Sequence, residues 1–129
     1  MSRNWLIVSG VSGALAIALG AFGAHALRAW LPLQQMTIFE TAVRYQLVHT
    51  LALLATALAM GQFPERARAL VQVAWLFLLG IVLFSGSLYG LSVAGLDWLG
   101  FVTPFGGLAW IAAWLGLAWS FRRGGKHGR

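Results

Sequence analysis

A chain of 129 residues with 60% apolar content and only 9% charged residues lies far from the soluble norm of about 45–50% apolar and about 25% charged. Zero cysteines exclude disulfides, thiolate catalysis and Cys-ligated metals. The net charge of +6 does not point to nucleic acid, because four of the nine basic residues, Arg122, Arg123, Lys126 and Arg129, form a tail directly after the last apolar run; such a cluster reads as a topology anchor against anionic lipid headgroups.

The first uncharged run spans 5–27, between Arg3 and Arg28. It can supply the roughly 20 helical residues that cross about 30 Å of hydrocarbon. A cleaved signal peptide is the competing reading, since Ala24-His25-Ala26 imitates a cleavage site, but the apolar stretch ahead of it exceeds the roughly 7–15 residues of a signal core. Ser12, Ala16, Gly20 and Ala24 recur at four-residue spacing. Small residues let helix backbones approach in lipid, either within a bundle, the plainer reading, or in a homodimer.

After Trp30 and the Leu31-Pro32-Leu33 turn, Met36, Phe39, Val43 and Leu47 recur at helical spacing. They predict an amphipathic section over 34–41, at or above the headgroups, that extends the second span over 41–61. Pro64, Glu65, Arg66 and Arg68 form a very short polar connection, and the third span covers 69–94. Its Gly86, Gly90 and Ala94 repeat the small-residue device, so spans one and three are expected to be the inner, close-packed pair. The fourth span, 103–121, begins with Thr103 as a candidate cap and Pro104 at the first helical position. The tail 122–129 is expected to be disordered. The expected architecture is one all-α membrane domain, a four-transmembrane-helix up-down bundle.

Orientation follows from Lys and Arg. With the N-terminus inside, Arg3, Arg66, Arg68 and the four tail residues make seven cytoplasmic basic residues against two outside, Arg28 and Arg44. Both termini are then cytoplasmic. Trp5, Trp75 and Trp119 fall near one interface, and Trp30 and Trp98 near the other, where aromatic belts belong.

Ionisable and strongly polar residues inside a span are costly. Here they cluster toward the outer side: His25, Glu40, Arg44, Tyr45, Gln46 and His49. Glu40 and Arg44 stand at i and i+4 in the order that favours an intrahelical ion pair; a structural interfacial pair is the plainer reading, a proton or anion path the alternative. At about 100° per residue, Tyr45, His49 and Thr56 share a face with Ala42, about 100° or more from Glu40 and Arg44. His49 is too deep to reach water and needs a partner, for which Tyr45, Thr50, Ser85 and Ser87 are candidates. His25 and His49 could in principle ligate haem, but two ligands are a minimal signature, and a catalytic zinc would want a third. Proton-coupled transport using His25, Glu40 and His49 is a further alternative, for which four short helices without broken spans or a repeat are poor material. Ser85 and Ser87 read as helix-packing hydroxyls, with no Ser-His-acid arrangement to be assigned from spacing. No cofactor, metal or catalytic residue is expected.

Four ordered stretches carry a family resemblance: GAFGAHAL from Gly20, FETAVRYQLVH from Phe39, LFSGSLY from Leu83 and TPFGG from Thr103. Together they resemble the YgdD-like family of small multi-pass membrane proteins, whose eukaryotic relatives are likewise small transmembrane proteins. The resemblance implies a bacterial inner-membrane location and a compact four-helix architecture. It implies no catalytic residue, because the family has no established activity. Phe105 is bulkier than the aliphatic residue expected there, and the basic tail matches no family motif. The expectation is a non-enzymatic structural or accessory bundle that interacts with lipid or another membrane protein, with a small proton-linked transporter or permeability factor as the alternative.

Overall fold

The computed structural model describes residues 1–122; the expected disordered tail, with Arg123, Lys126 and Arg129, lies outside the described residues beyond Arg122. Four helices, α1 (Ser2–Leu27), α2 (Leu33–Gln62), α3 (Pro64–Ala94) and α4 (Asp97–Ser120), are each long and apolar enough to cross a membrane. Their contacts pair in inverse order. Gly13 meets Thr50, Gly20 meets Val43 and Gly23 meets Phe39 between α1 and α2, while Gly80 meets Trp110, Gly106 meets Phe84 and Gly116 meets Val73 between α3 and α4. The result is an all-α, up-down bundle. Met1, Phe63 and Ser120 share one end, called here the terminal end; the connections at 28–32 and 95–96 share the other, the loop end.

Short connections force this topology. Pro32 precedes the first residue of α2, Pro64 opens a 3-10 turn that feeds directly into α3, and Gly95 turns the chain after α3 with φ +70, a conformation that costs glycine nothing. Helix α2 is a single 30-residue α-helix, whereas α1 and α3 each contain one π-helical turn, at Ala18–Gly23 and Ile81–Ser85. Both π turns lie beside the same stretch of α2, because Gly20 abuts Val43 and Ser85 bonds Ala42. Each inserts an extra residue into one turn and so rotates the faces that follow.

Half of the apolar window of α2 is buried, against 17% for α1 and 22% for α4, so α2 is the central helix. This corrects the expectation that the first and third spans form the inner pair: α1 and α3 flank α2 and touch each other near the terminal end, where Trp5 meets Trp75 edge to face at 5.0 Å. The small-residue stripe of α1 turns to α2, with Ser12, Ala16 and Ala24 buried. Of the stripe of α3, only Gly90 serves packing within the chain, against Leu99 of α4. Gly86 and Ala94 are exposed, Gly86 has open space where a Cβ would stand, and Gly90 accommodates only Leu99 of the neighbouring turn. The glycines that matter between α3 and α4 are Gly80, which the Trp110 indole overlies, and Gly106, where a Cβ would strike the Phe84 backbone.

Two apolar clusters form the interior. The larger, toward the terminal end, contains Trp5, Leu53, Leu70, Phe77 and Trp110; the smaller, toward the loop end, contains Ala24, Met36, Phe39 and Val43. Trp5 is thus a core residue and not part of a lipid-facing belt, while Trp75, Trp119, Trp30 and Trp98 are exposed. Between the clusters α2 carries Gln46, His49 and Thr50, all buried.

Candidate functional site

Gln46 joins three helices. Its Nε2 donates to the Ser12 carbonyl at 3.0 Å and to Ser12 Oγ at 3.3 Å, and its Oε1 accepts from the Tyr89 hydroxyl at 2.6 Å. Ser12 Oγ also shares a 2.7 Å hydrogen bond with Thr50 Oγ1. One amide therefore ties α1, α2 and α3 together. In lipid, where apolar burial gives little drive between helices, such bonds and close packing supply the association energy.

His49 occupies the other side of α2, toward α4. Its Nδ1 lies 2.8 Å from the Tyr45 carbonyl, and its Nε2 accepts from the Trp114 indole N–H at 3.2 Å. A carbonyl can only accept and an indole N–H can only donate, so these two partners select the Nδ1–H tautomer. The imidazole lies flat on the Trp110 ring, 3.7 Å between centroids and 3° from parallel, and Tyr45 packs against Phe84 and Trp110 at 5.1 and 6.0 Å. Trp110 in turn donates from Nε1 to the Phe77 carbonyl at 3.1 Å. Of the partners expected for His49, the structure uses Tyr45, through its carbonyl. Thr50, Ser85 and Ser87 are engaged elsewhere: Ser85 Oγ donates to the Ala42 carbonyl at 2.8 Å, and Ser87 Oγ pairs with Thr103 Oγ1 at 2.5 Å.

Sequence reasoning missed Trp114, Tyr89 and Thr103 as partners. Thr103 was expected to cap α4, yet no side-chain cap bond is made there; its hydroxyl turns to Ser87 and to the Leu99 carbonyl, because a 3-10 turn over Asp97–Phe101 precedes it and leaves it facing α3. A signal for Trp114 did exist. Trp110 and Trp114 stand four apart on α4, and indole donors inside a span need acceptors.

The six polar residues singled out from sequence separate into two groups. Gln46 and His49 are buried between helices, whereas His25, Glu40, Arg44 and Tyr45 are exposed. The expected Glu40–Arg44 ion pair is not formed: among the described residues the ion pair within 4.0 Å is that of Arg66 with Glu65. Both side chains point out from α2, where solvent or headgroups can satisfy each separately, and surface pairing gains too little to fix two long side chains. His25 ends α1 and is not brought to His49, which faces α4. Among the described residues no cluster of three or more His, Cys, Asp or Glu could hold a metal ion, and no buried side-chain nitrogen or oxygen is left without a partner.

The four stretches that carried the resemblance converge around α2. Gly20 and Gly23 receive Val43 and Phe39, Phe39 and Tyr89 rings meet at 5.4 Å, and Ser87 reaches Thr103. Four apolar spans in up-down order, locked by a polar layer on the second, define a small multi-pass integral membrane protein. Residues 19–107 match the family model described as a protein of unknown function, DUF423, and the chain belongs to that family. It is 44% identical over 116 residues to the UPF0382 inner membrane protein YgdD of Escherichia coli strain K12, covering 88% of this chain and 85% of that protein. It is 39% identical over 113 residues to the UPF0382 membrane protein YwdK of Bacillus subtilis strain 168, covering 88% and 91%. A UPF0382 membrane protein of Haemophilus influenzae is 38% identical over 119 residues, covering 92% and 94%. No solved structure matches the chain. The biochemical activity of the family is unknown.

Proposed function

We propose that the protein is a non-enzymatic accessory bundle that acts through its lipid- and helix-facing surfaces in a bacterial inner membrane. One observation carries this reading: Gln46 and His49, the buried amide and imidazole of α2, are committed to holding helices together. His49 has a partner at each ring nitrogen, and Gln46 bonds α1 and α3 simultaneously. A proton relay or carrier needs groups that exchange partners along a wet path. Both termini are assigned to the cytoplasm, supported by the sequence count of seven basic residues at the start of α1, after α2 and after α4 against Arg28 and Arg44. The basic tail then meets anionic headgroups of the inner leaflet.

The decisive experiment is proton flux into liposomes containing the purified protein and a pH-sensitive dye. Flux indistinguishable from empty liposomes supports the bundle reading; protein-dependent flux abolished by His49→Ala overturns it. The cysteine-free sequence makes the orientation testable with single cysteines at Gln35, Asp97 and Lys126. An impermeant thiol reagent applied to intact cells should label the first two, and labelling at Lys126 would reverse the assignment.

A further inference from the structure

Between α1 and α2 at the loop end lies an open cleft of about 310 Å³, lined by Gly20, Ala24, Phe39, Val43 and Leu47 and ringed by Arg28, Glu40 and Arg44. Other clefts on the surface are lined differently: the one beside Trp119 and the one beside Trp75 carry no charged side chain. Here two cations and one anion surround an apolar trough. All three are exposed, and among the described residues none of them has an ion-pair partner.

The order of these groups along the helix axes is informative. Leu47 lies seven residues below Glu40 and three below Arg44, and Gly20 eight residues before Arg28, so at roughly 1.5 Å per residue the apolar floor reaches about 5–12 Å past the charged groups. Arg28 and Glu40 stand at the loop end beside the 28–32 connection, and the floor runs from there toward the middle of the spans, so a bilayer crossed by these spans would set its headgroups near the rim. The floor is open because α1 contributes Gly20 and Ala24 there, and a side chain at Gly20 would have to displace Val43. An amphiphile with a charged head and an acyl chain matches this gradient in both chemistry and direction.

We infer that this cleft is a binding site for phosphatidylethanolamine. Arg28 and Arg44 bracket the phosphodiester, for which guanidinium forks are suited. Glu40 takes the primary ammonium, and one acyl chain lies along Gly20, Ala24, Val43 and Leu47. A headgroup with both charges gives every rim residue an opposite partner. A purely anionic headgroup would leave Glu40 facing negative charge, and a quaternary ammonium would offer it no N–H donor. The site deepens the proposed reading of the bundle as a lipid-contacting protein by naming the lipid and the residues.

The test is native mass spectrometry of the full-length protein released from detergent containing equal amounts of phosphatidylethanolamine, phosphatidylglycerol and phosphatidylcholine of identical acyl chains. Wild type is expected to retain phosphatidylethanolamine at least about fivefold over either competitor. The double variant R28Q/R44Q should lose that adduct about tenfold, and Glu40→Gln should erase the preference over phosphatidylcholine. The three rim residues are exposed, so these variants should keep the wild-type melting temperature in detergent. Should the double variant fail to fold, Leu47→Trp, which fills the trough and leaves the rim intact, must lose the adduct as well. Equal retention of all three lipids by wild type, preference for phosphatidylglycerol, or an adduct indifferent to these substitutions overturns the site. Such a failure leaves the bundle reading standing, because that reading falls on His49-dependent proton flux and not on lipid selectivity.

Discussion

The two halves of the bundle solve the same problem by different means. Helices α1 and α2 meet through a stripe of small residues and a hydrogen-bonded knot, with Ser12, Gln46 and Thr50 linked at 2.7–3.3 Å. Helices α3 and α4 meet through a tighter steric fit, with the Trp110 indole covering Gly80 and Gly106 against the Phe84 backbone, and with two separate bonds, Ser87 to Thr103 and Trp110 to the Phe77 carbonyl. In water either interface would be driven largely by apolar burial. In lipid that drive is weak, and only close contact or polar pairing distinguishes the right neighbour from an acyl chain. Helix α4, with 22% of its apolar window buried, is thus placed chiefly by close steric contact with α3, with scattered single bonds beside it, while α1, with 17%, relies on one linked cluster of hydrogen bonds beside its small residues.

The largest effect should come from breaking the steric half. Gly106→Ala puts a methyl into the Phe84 backbone, which cannot move aside as a side chain can. A loss at or above the ~1–3 kcal/mol of ordinary overpacking is expected, read as a fall in folded yield and in melting temperature in detergent. Gly86→Ala, with open space at its Cβ, should be neutral or stabilising by up to about 1 kcal/mol through helix propensity. If Gly86→Ala is the more damaging of the two, that face is an interface and the α3–α4 packing described above is wrong.

Breaking the polar half should cost less. Gln46→Leu removes the bonds to Ser12 and Tyr89, and about 1–2 kcal/mol is expected from interhelical bonds of this kind in membranes. Combining it with Tyr89→Phe should cost less than the sum of the singles, since both remove one shared bond; strict additivity in detergent unfolding would deny the contact.

The His49–Trp114 bond, which joins the two halves, should show a coupling of about 0.6 kcal/mol, the average for such pairs in a membrane bundle. A double-mutant cycle with His49→Phe and Trp114→Phe measures it, and zero coupling would leave Trp114 as a lipid-facing ring only. Smallest of all should be Glu40→Gln and Arg44→Gln, each within about 0.5 kcal/mol of wild type as exposed, unpaired positions. A destabilisation above 1 kcal/mol by either, relieved on reversing both charges, would restore the ion pair that the structure lacks.

How far the site was legible can be argued residue by residue. Angular position alone places His49 on a face away from Glu40 and Arg44, and its burial beside exposed Glu40 and Arg44 follows that helical period, whereas Tyr45, on the edge of the same face, stays exposed. The need of His49 for a partner was legible because a deep imidazole is costly unpaired. Its second partner was not: Trp114 is 65 residues away in the chain, and spacing within one helix says nothing about which residue of another helix will face it. The small residues of α3 misled for a related reason. Their spacing is periodic, but the π turn at Ile81–Ser85 rotates the whole stripe relative to the helix before it, so that Gly90 meets Leu99 of α4 while Gly86 meets nothing, and an i→i+5 turn leaves no signature in residue type.

The number of spans, their up-down order and the all-α class were all written in the residue order. These rest on hydrophobic length and on connections too short to allow anything but antiparallel neighbours, and both properties are local. It took the packed bundle to make α2 central, to have Gly80 and Gly106 rather than Gly86 and Ala94 make room for a neighbour, and to bring Arg28, Glu40 and Arg44 around one cleft. Those outcomes depend on rotation and depth between helices, which in lipid are fixed by a few close contacts and hydrogen bonds between residues far apart in the chain.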